Sequence, residues 1–152
     1  MGNIYRAMGD FASAEKYSRT SLAYSEEIYR QTESARTLKE VSNANFHVAA
    51  ALELQGRYVE AEKYYVTAKD LAERVNQKTK DYAVVNHWCV TVGRLSGIYQ
   101  KLGRYQEAER FARIYLEQSE RMFGDKPNNY RRRDIATAYA RMGSILKALR
   151  RY

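Results

Sequence analysis

The residues best suited to chemistry are His87 and Cys89, an imidazole base and a thiol placed two positions apart. Such a pair can act in nucleophilic catalysis only where the two side chains lie within hydrogen-bond reach. The surrounding pattern is helical, and helix residues two apart point about 200° away from each other. The second histidine, His47, does not occupy a position equivalent to His87. The sequence therefore predicts that residues 87–89 are a packed helix segment and not a catalytic pair.

Other signatures of enzymes and metal proteins are missing from the sequence. It contains no Gly-rich phosphate loop, no Cys-x-x-Cys pair and no His-Glu-x-x-His motif. The single cysteine excludes an internal disulfide framework. Because an active site needs convergent titratable groups and none are evident, we predict a non-enzymatic protein without metal or cofactor.

The basic residues are concentrated at one end of the chain. The net charge is +8, yet residues 126–152 hold 8 of the 26 Lys and Arg and only one of the 18 Asp and Glu. Arg131-Arg132-Arg133 would suit an acidic partner or a phosphate, although an isolated basic run is more often a solvated face. A nucleic-acid groove would need basic residues along a whole face. The 14 tyrosines of this chain could stack on bases only where such a basic groove lies beside them. We therefore rank nucleic-acid binding below protein binding.

A nine-residue stretch organises the rest of the chain. Residues 56–64 read Gly-Arg-Tyr-Val-Glu-Ala-Glu-Lys-Tyr, and edited copies occupy 9–17 and 103–111, so that each copy begins 47 residues after the last. A fixed period of this size is typical of helical repeats. The glycine closes one helix in the left-handed conformation, and the small alanine lets two antiparallel helices approach. Each repeat is therefore predicted to be a helix-turn-helix hairpin.

These patterns predict an all-α protein with one repeat array over 1–152. Gly9 is predicted to close a short helix over 1–8, and a turn is predicted at 124–128, which contains the only proline. The longer helices are predicted at 11–30, 33–55, 58–76, 80–102, 105–123 and 129–149. The repeat units are predicted to be 1–31 (partial), 32–78, 79–125 and 126–152 (partial).

The residues also match a known motif. Its first half, W-x2-L-G-x2-Y, is approximated by Met1-Gly2-x2-Tyr5, Val48-Ala49-x2-Leu52, Leu95-Ser96-x2-Tyr99 and Tyr139-x2-Met142-Gly143-x2-Leu146, and its second half, A-x3-F, by Ala61-x3-Tyr65. The chain thus resembles the tetratricopeptide repeat family. It departs from that pattern at Asn45, Val92 and Tyr139, which replace the tryptophan, and in a period longer than about 34 residues. It looks most like the long-repeat branch of kinesin light chains and of signalling-ATPase sensor tails; HEAT and armadillo repeats share the period but not the turn motif.

The resemblance implies a right-handed superhelix (α-solenoid) whose first helices line a concave groove for a peptide or partner helix. Gly93 and Gly97 share one helical face, and they serve either a bound partner or the close packing of neighbouring helices. The two-carboxylate clamp of some family members is incomplete, because His47 and Val90 stand where an Asn and a Lys are expected. The implied groove residues are Asn3, Arg6, Asn43, Phe46, Ala50, Glu53, Val90, Gly93, Arg94, Gly97, Gln100, Lys101, Thr137, Ala140, Arg141, Ser144 and Lys147.

From this we expect a non-catalytic protein-interaction scaffold. The alternatives are a sensing segment of a larger signalling ATPase and, less favoured, a nucleic-acid-binding helical repeat. Neither a signal peptide nor an 18-residue apolar run is recognisable, so a cytoplasmic (intracellular) protein is expected. The terminal helices are apolar around much of their circumference, which predicts self-association through the ends or a longer array.

Overall fold

The computed structural model describes residues 2–79, 81–123 and 129–150, and these residues form helices joined by short turns, without strands. Five helices have the bounds expected from the sequence to within two residues, whereas the predicted turn at 124–128 lies outside the described residues. The helices are α1 (Gly2–Gln31), α2 (Ala35–Leu54), α3 (Tyr58–Lys78), α4 (Tyr82–Lys101), α5 (Tyr105–Phe123) and α6 (Asn129–Leu149).

The prediction that a helix ends at Gly9 is wrong, because α1 continues through Gly9 without interruption. A glycine within a helix costs only about 1 kcal/mol relative to alanine, so glycine alone does not end a helix. The residues around it, including Ala7, Ala12 and Ala14, are strong helix formers. The same motif therefore forms a turn at two of its three sites and helix at the third.

Gly56 and Gly103 do end helices, and both do so with the same geometry. Their φ angles are +74° and +76°, in the left-handed region that favours glycine. The amide after the first glycine, that of Arg57, donates to the Leu52 carbonyl, and the Gly56 amide donates to Glu53. These two bonds constitute a Schellman motif, and the 103 turn repeats them 47 positions later.

This contrast predicts opposite effects of one substitution at two copies of the motif. Gly56→Ala should lower the free energy of unfolding by about 1 kcal/mol, because alanine is strained at positive φ. Gly9→Ala should raise it by about 0.5–1 kcal/mol, because alanine is the better helix residue. Urea denaturation of the two variants measures both changes. Destabilisation by Gly9→Ala would contradict the continuous α1 helix.

The chain forms two compact units, and the first is Met1–Trp88. In this unit α2 packs against both α1 and α3. Its α2 helix begins with a capping box in which Ser34 and Thr37 satisfy each other's backbone amides. The large side chains of its core that are almost completely buried are Leu38, Val48, Leu52, Tyr65, Val75 and Val84.

Polar contacts fix the helices of the first unit. The Ser42 hydroxyl of α2 donates to the Ala68 carbonyl of α3 at 2.7 Å. The Glu15 carboxylate of α1 accepts from Arg57, at the start of α3, at 2.5 Å, and from Arg19 at 2.9 Å. These arginines, with Gln55, lower the pKa of Glu15. An ion pair between Glu15 and Arg57 thus attaches the turn at Gly56 to α1, and the Glu15 side chain of this pair is largely shielded from solvent.

The second unit is Cys89–Tyr152. Its α5 and α6 helices pack together, and α4 is held to α5 by the Ser96 hydroxyl, which donates to the Ala108 carbonyl at 2.8 Å. The Cys89 thiol lies beside the Tyr115 carbonyl and the Ser119 hydroxyl. Its buried apolar side chains include Val92, Leu95, Ile98, Phe111, Ala138, Met142 and Ile145. Within the described residues, no helix has the length and apolar character needed to span a bilayer.

Candidate interaction surface

In the first unit, four of the implied groove residues share one face of α2. Asn43, Phe46, Ala50 and Glu53 follow the i, i+3, i+7, i+10 spacing of a helical stripe, and each is half-buried. Phe46 is held in place by edge-on contacts with Tyr65 and with histidines. Asn3 and Arg6 belong to the first turns of α1, and their side chains lie outside the described part of the chain.

In the second unit, the implied residues of α4 and α6 come together. The Arg141 guanidinium of α6 donates to the Gly93 carbonyl of α4. About two turns further along α4, the Gln100 amide donates to the Ser144 hydroxyl at 2.9 Å. The family resemblance implied that these four residues share one surface, and the two hydrogen bonds bring them together in pairs. We call the face formed by α4 and α6 the α4–α6 surface.

The two glycines of the α4–α6 surface have different environments. A methyl group at Gly93 would lie 3.3 Å from both the Arg141 guanidinium and the Tyr115 ring, so Gly93 allows close helix packing. A methyl group at Gly97 would meet nothing within 4 Å, and Gly97 is half-exposed. The packing explanation therefore holds for Gly93, while at Gly97 the missing side chain leaves a shallow opening.

The rest of the α4–α6 surface is accessible. On α4, Val90, Arg94 and Lys101 are exposed on the same stripe as Gly97. The α6 positions are mostly small, and they are exposed too: Thr137, Ala140, Ser144 and Lys147. The surface therefore combines small residues with the cationic side chains of Arg94, Lys101 and Lys147.

Charge on this surface has a single sign among the described side chains. Helix α4 contains no Asp or Glu, and α6 contains only Asp134. Within the described part of the chain, the exposed Lys101 and Lys147 form no ion pair. Of the basic run at 131–133, only the Arg133 side chain is described, and it is exposed. A ligand that approaches between Lys101 and Lys147 therefore meets uncompensated positive charge.

A serine–histidine contact in the first unit was not anticipated from the sequence. The Ser42 hydroxyl lies 3.1 Å from His87 Nε2. Because the only hydroxyl proton is donated to the Ala68 carbonyl, the imidazole Nε2 donates to Ser42. Ser42 is also fully buried. This contact consequently fixes the helices and does not activate Ser42 as a nucleophile.

Burial of His87 has an electrostatic consequence. Burial, together with the positive charges that His47 and Lys39 can carry, lowers its pKa to about 4. The imidazole is therefore neutral at pH 7, and its Nε2–H donates a hydrogen bond to the Ser42 hydroxyl. Among the described residues, no group of three His, Cys, Asp or Glu side chains is placed to hold a metal ion.

Comparisons with known proteins agree with this architecture. A family model described as tetratricopeptide repeat matches residues 1–28. The crystal structure of BtubC (BKLC) from P. vanneervenii is similar, with a TM-score of 0.62, 16% sequence identity, and coverage of 92% of this chain and 50% of that chain. The chain thus spans half the length of that solved chain. No curated protein matches the sequence significantly.

At this identity, the structural likeness shows the fold alone, and it confirms the predicted all-α helical-repeat (α-solenoid) class. The family match shows that residues 1–28 are similar to a tetratricopeptide repeat. Such repeats generally mediate interactions between proteins.

Proposed function

We propose that this protein is a non-catalytic interaction module that binds a polypeptide segment on the α4–α6 surface. The observation that carries the proposal is the opening at Gly97, where a helix lacks a side chain although no neighbouring helix requires the space. A helical glycine costs stability, so close approach of a ligand is a physical reason to keep it. The whole implied groove, including the α2 stripe and Asn3 and Arg6, remains part of this proposal.

The chemistry of the surface favours an acidic segment as the partner. Lys101 and Lys147 supply positive charge, and the absence of carboxylates from α4 leaves it uncompensated there. Gln100 and Ser144 offer polar groups to a peptide backbone, and the small floor lets that backbone approach. The described cationic side chains of the α4–α6 surface lie on short stretches of two helices. A surface of this extent suits a peptide better than a nucleic-acid backbone.

We further propose that the chain belongs to the long-repeat type of tetratricopeptide array and acts inside the cell. Equivalent contacts support a period of 47 residues. Arg57 forms a two-pronged ion pair with Glu60, and Arg104 does the same with Glu107. The Ser42 and Cys89 side chains, also 47 apart, both lie against a facing carbonyl, that of Ala68 or Tyr115.

Gly97→Leu tests the function. A library of random twelve-residue peptides would be selected on the whole chain, and the selected peptides would be labelled for affinity measurement. We expect Gly97→Leu to weaken their binding at least tenfold, because the leucine fills the opening. Its melting temperature should stay close to that of the unaltered chain, because leucine is the better helix residue and its Cβ meets open space.

Two matched variants complete this test. Thr67→Leu introduces the same side chain at an exposed position of α3 and should leave affinity unchanged. Gly93→Leu should lower the melting temperature, because its side chain would press on Arg141 and Tyr115. Peptides that bind Gly97→Leu as well as they bind the unaltered chain would refute the proposed surface. Tighter binding of single-stranded DNA than of any selected peptide would favour the nucleic-acid alternative.

A further inference from the structure

A small cleft lies in the first unit, where the ends of three helices meet. Its volume is about 220 Å³, which is room for about seven water molecules. Ala35 and Lys39 of α2 line it, together with Val75 of α3 and Val84 of α4. Both valines belong to the core and are at most 2% exposed, so they close the bottom of the cleft. The space therefore suits a small ligand whose apolar part is short.

Three charged side chains also line the cleft, those of Arg36, Lys39 and Asp81. The Asp81 carboxylate caps the start of α4, because its Oδ1 accepts the Ala83 amide at 2.9 Å. Its Oδ2 accepts from the Lys39 ammonium at 3.3 Å, so these two charges offset each other. The Arg36 guanidinium lies 3.7 Å from the Glu40 carboxylate, which is too long for a hydrogen bond. Two cations and one carboxylate thus leave the lining of the cleft with one positive charge.

The repeat architecture does not require the two cations. The residues 47 positions after Arg36 and Lys39 are Ala83 and Asn86, which carry no charge. The ion pairs of Arg36 and Lys39, at 3.7 and 3.3 Å, are also longer than the length of about 2.8 Å that is typical of charge-assisted hydrogen bonds. Neither the hairpin fold nor a strong ion pair therefore explains why positive charge is placed at this cleft.

We propose that this cleft binds a small monocarboxylate with a short apolar chain. The ligand carboxylate accepts from Arg36 and Lys39, which lie three residues apart on one face of α2. Arginine suits this role because its planar guanidinium binds a carboxylate with two parallel hydrogen bonds. The apolar chain points towards the two valines at the bottom. A single negative charge matches the lining of the cleft, whereas the second charge of a phosphate would be repelled by Asp81.

Titration of the intact chain with butanoate, followed by NMR, tests the proposal. We expect saturable shifts of the Ala35 and Thr79 amide signals and of the methyl signals of Val75 and Val84, because these residues line the cleft. Butanamide has the same shape without the charge, and it should bind at least tenfold more weakly because it lacks the charge-assisted bonds. Inorganic phosphate has no apolar chain and carries the additional charge, so it should also bind at least tenfold more weakly.

Two variants and a matched control locate the binding site. Arg36→Gln should weaken butanoate binding about tenfold and leave the fold intact, because this side chain is 89% exposed. Ala35→Leu keeps both cations but fills part of the cleft, so it should also weaken binding. Arg113→Gln is the control, because Arg113 likewise pairs with a glutamate four residues away, Glu109, but belongs to the second unit.

The proposal is overturned by any of three results. These are the lack of saturation with butanoate at tens of millimolar, an equal affinity for butanamide or phosphate, and an unchanged affinity in Arg36→Gln. None of the residues that line the cleft belongs to the implied groove. Such a result therefore leaves peptide binding on the α4–α6 surface unaffected, and the two proposals can fail separately.

Discussion

Leu52→Ala should lower the free energy of unfolding by about 3 kcal/mol, whereas Leu54→Ala, two residues later, should lower it by less than about 0.5 kcal/mol. Leu52 is fully buried on α2, and Leu54 on the same helix is 62% exposed. Truncating Leu52 removes apolar contacts and leaves a cavity, because α1 and α3 both pack against α2 and a close-packed core relaxes only partly. Truncating Leu54 removes a side chain that is already in contact with water.

The pair of leucines is a stringent test because the two substitutions are chemically identical. Both leave the helix propensity of α2 almost unchanged, so the difference reports burial alone. Guanidinium denaturation followed by circular dichroism at 222 nm measures both changes. The Leu52 carbonyl also accepts the Arg57 amide, but this backbone bond survives the substitution. Equal losses for Leu52→Ala and Leu54→Ala would show that α2 is rotated about its axis relative to the structure.

The second large effect is acid sensitivity that originates at His87. Its pKa in the folded protein, about 4, is below the ordinary value of 6.5. The unfolded chain therefore binds more protons than the folded chain between these two values, and stability falls as the pH decreases through that window. For a half-buried imidazole we expect a loss of about 2 kcal/mol between pH 7 and pH 4.

A matched histidine separates this effect from the general loss of stability in acid. His87→Gln retains an amide donor for Ser42 but cannot be protonated, so it should flatten the stability profile between pH 6.5 and 4.5. His47→Gln removes only one of the causes that lower the pKa of His87, so it should reduce the slope less than His87→Gln does. Glu15, Glu60, Asp81 and Glu107 have pKa values lowered by their partners, so their stabilisation is lost only at more acidic pH. An unchanged slope for His87→Gln would contradict the buried neutral imidazole.

The fold was predictable because its signals are local and repeated. The Gly-x-Tyr-x-x-Ala-Glu motif located the turns at Gly56 and Gly103, and apolar periodicity gave five helices with ends close to the observed ones. The error at Gly9 has a physical cause. A turn is stabilised by both helices that it joins, and the motif alone does not reveal whether a packed helix precedes it.

The site was less predictable because its determinants are distant in sequence. Nothing local distinguishes Gly93 from Gly97, since both are helical glycines on one face. Only the positions of Tyr115 and Arg141 on other helices separate the packed glycine from the open one. The Ser42–His87 contact, which joins residues 45 apart, has no sequence motif either. The environment of a side chain depends on the geometry with which the helices pack. The sequence indicates that the helices pack together but not with which geometry.

The two glycine turns also bear on the order of folding. Each turn is completed by contacts within about ten residues of chain, from the Leu52 carbonyl to the Ala61 amide in the first case. Short loops lose little entropy on closure, so each turn can form before the helices that flank it have packed. The chain consequently has two equivalent places, 47 residues apart, from which a hairpin can nucleate. A kinetic defect at one of them slows folding less than it would in a protein with a single nucleus, because the other remains available.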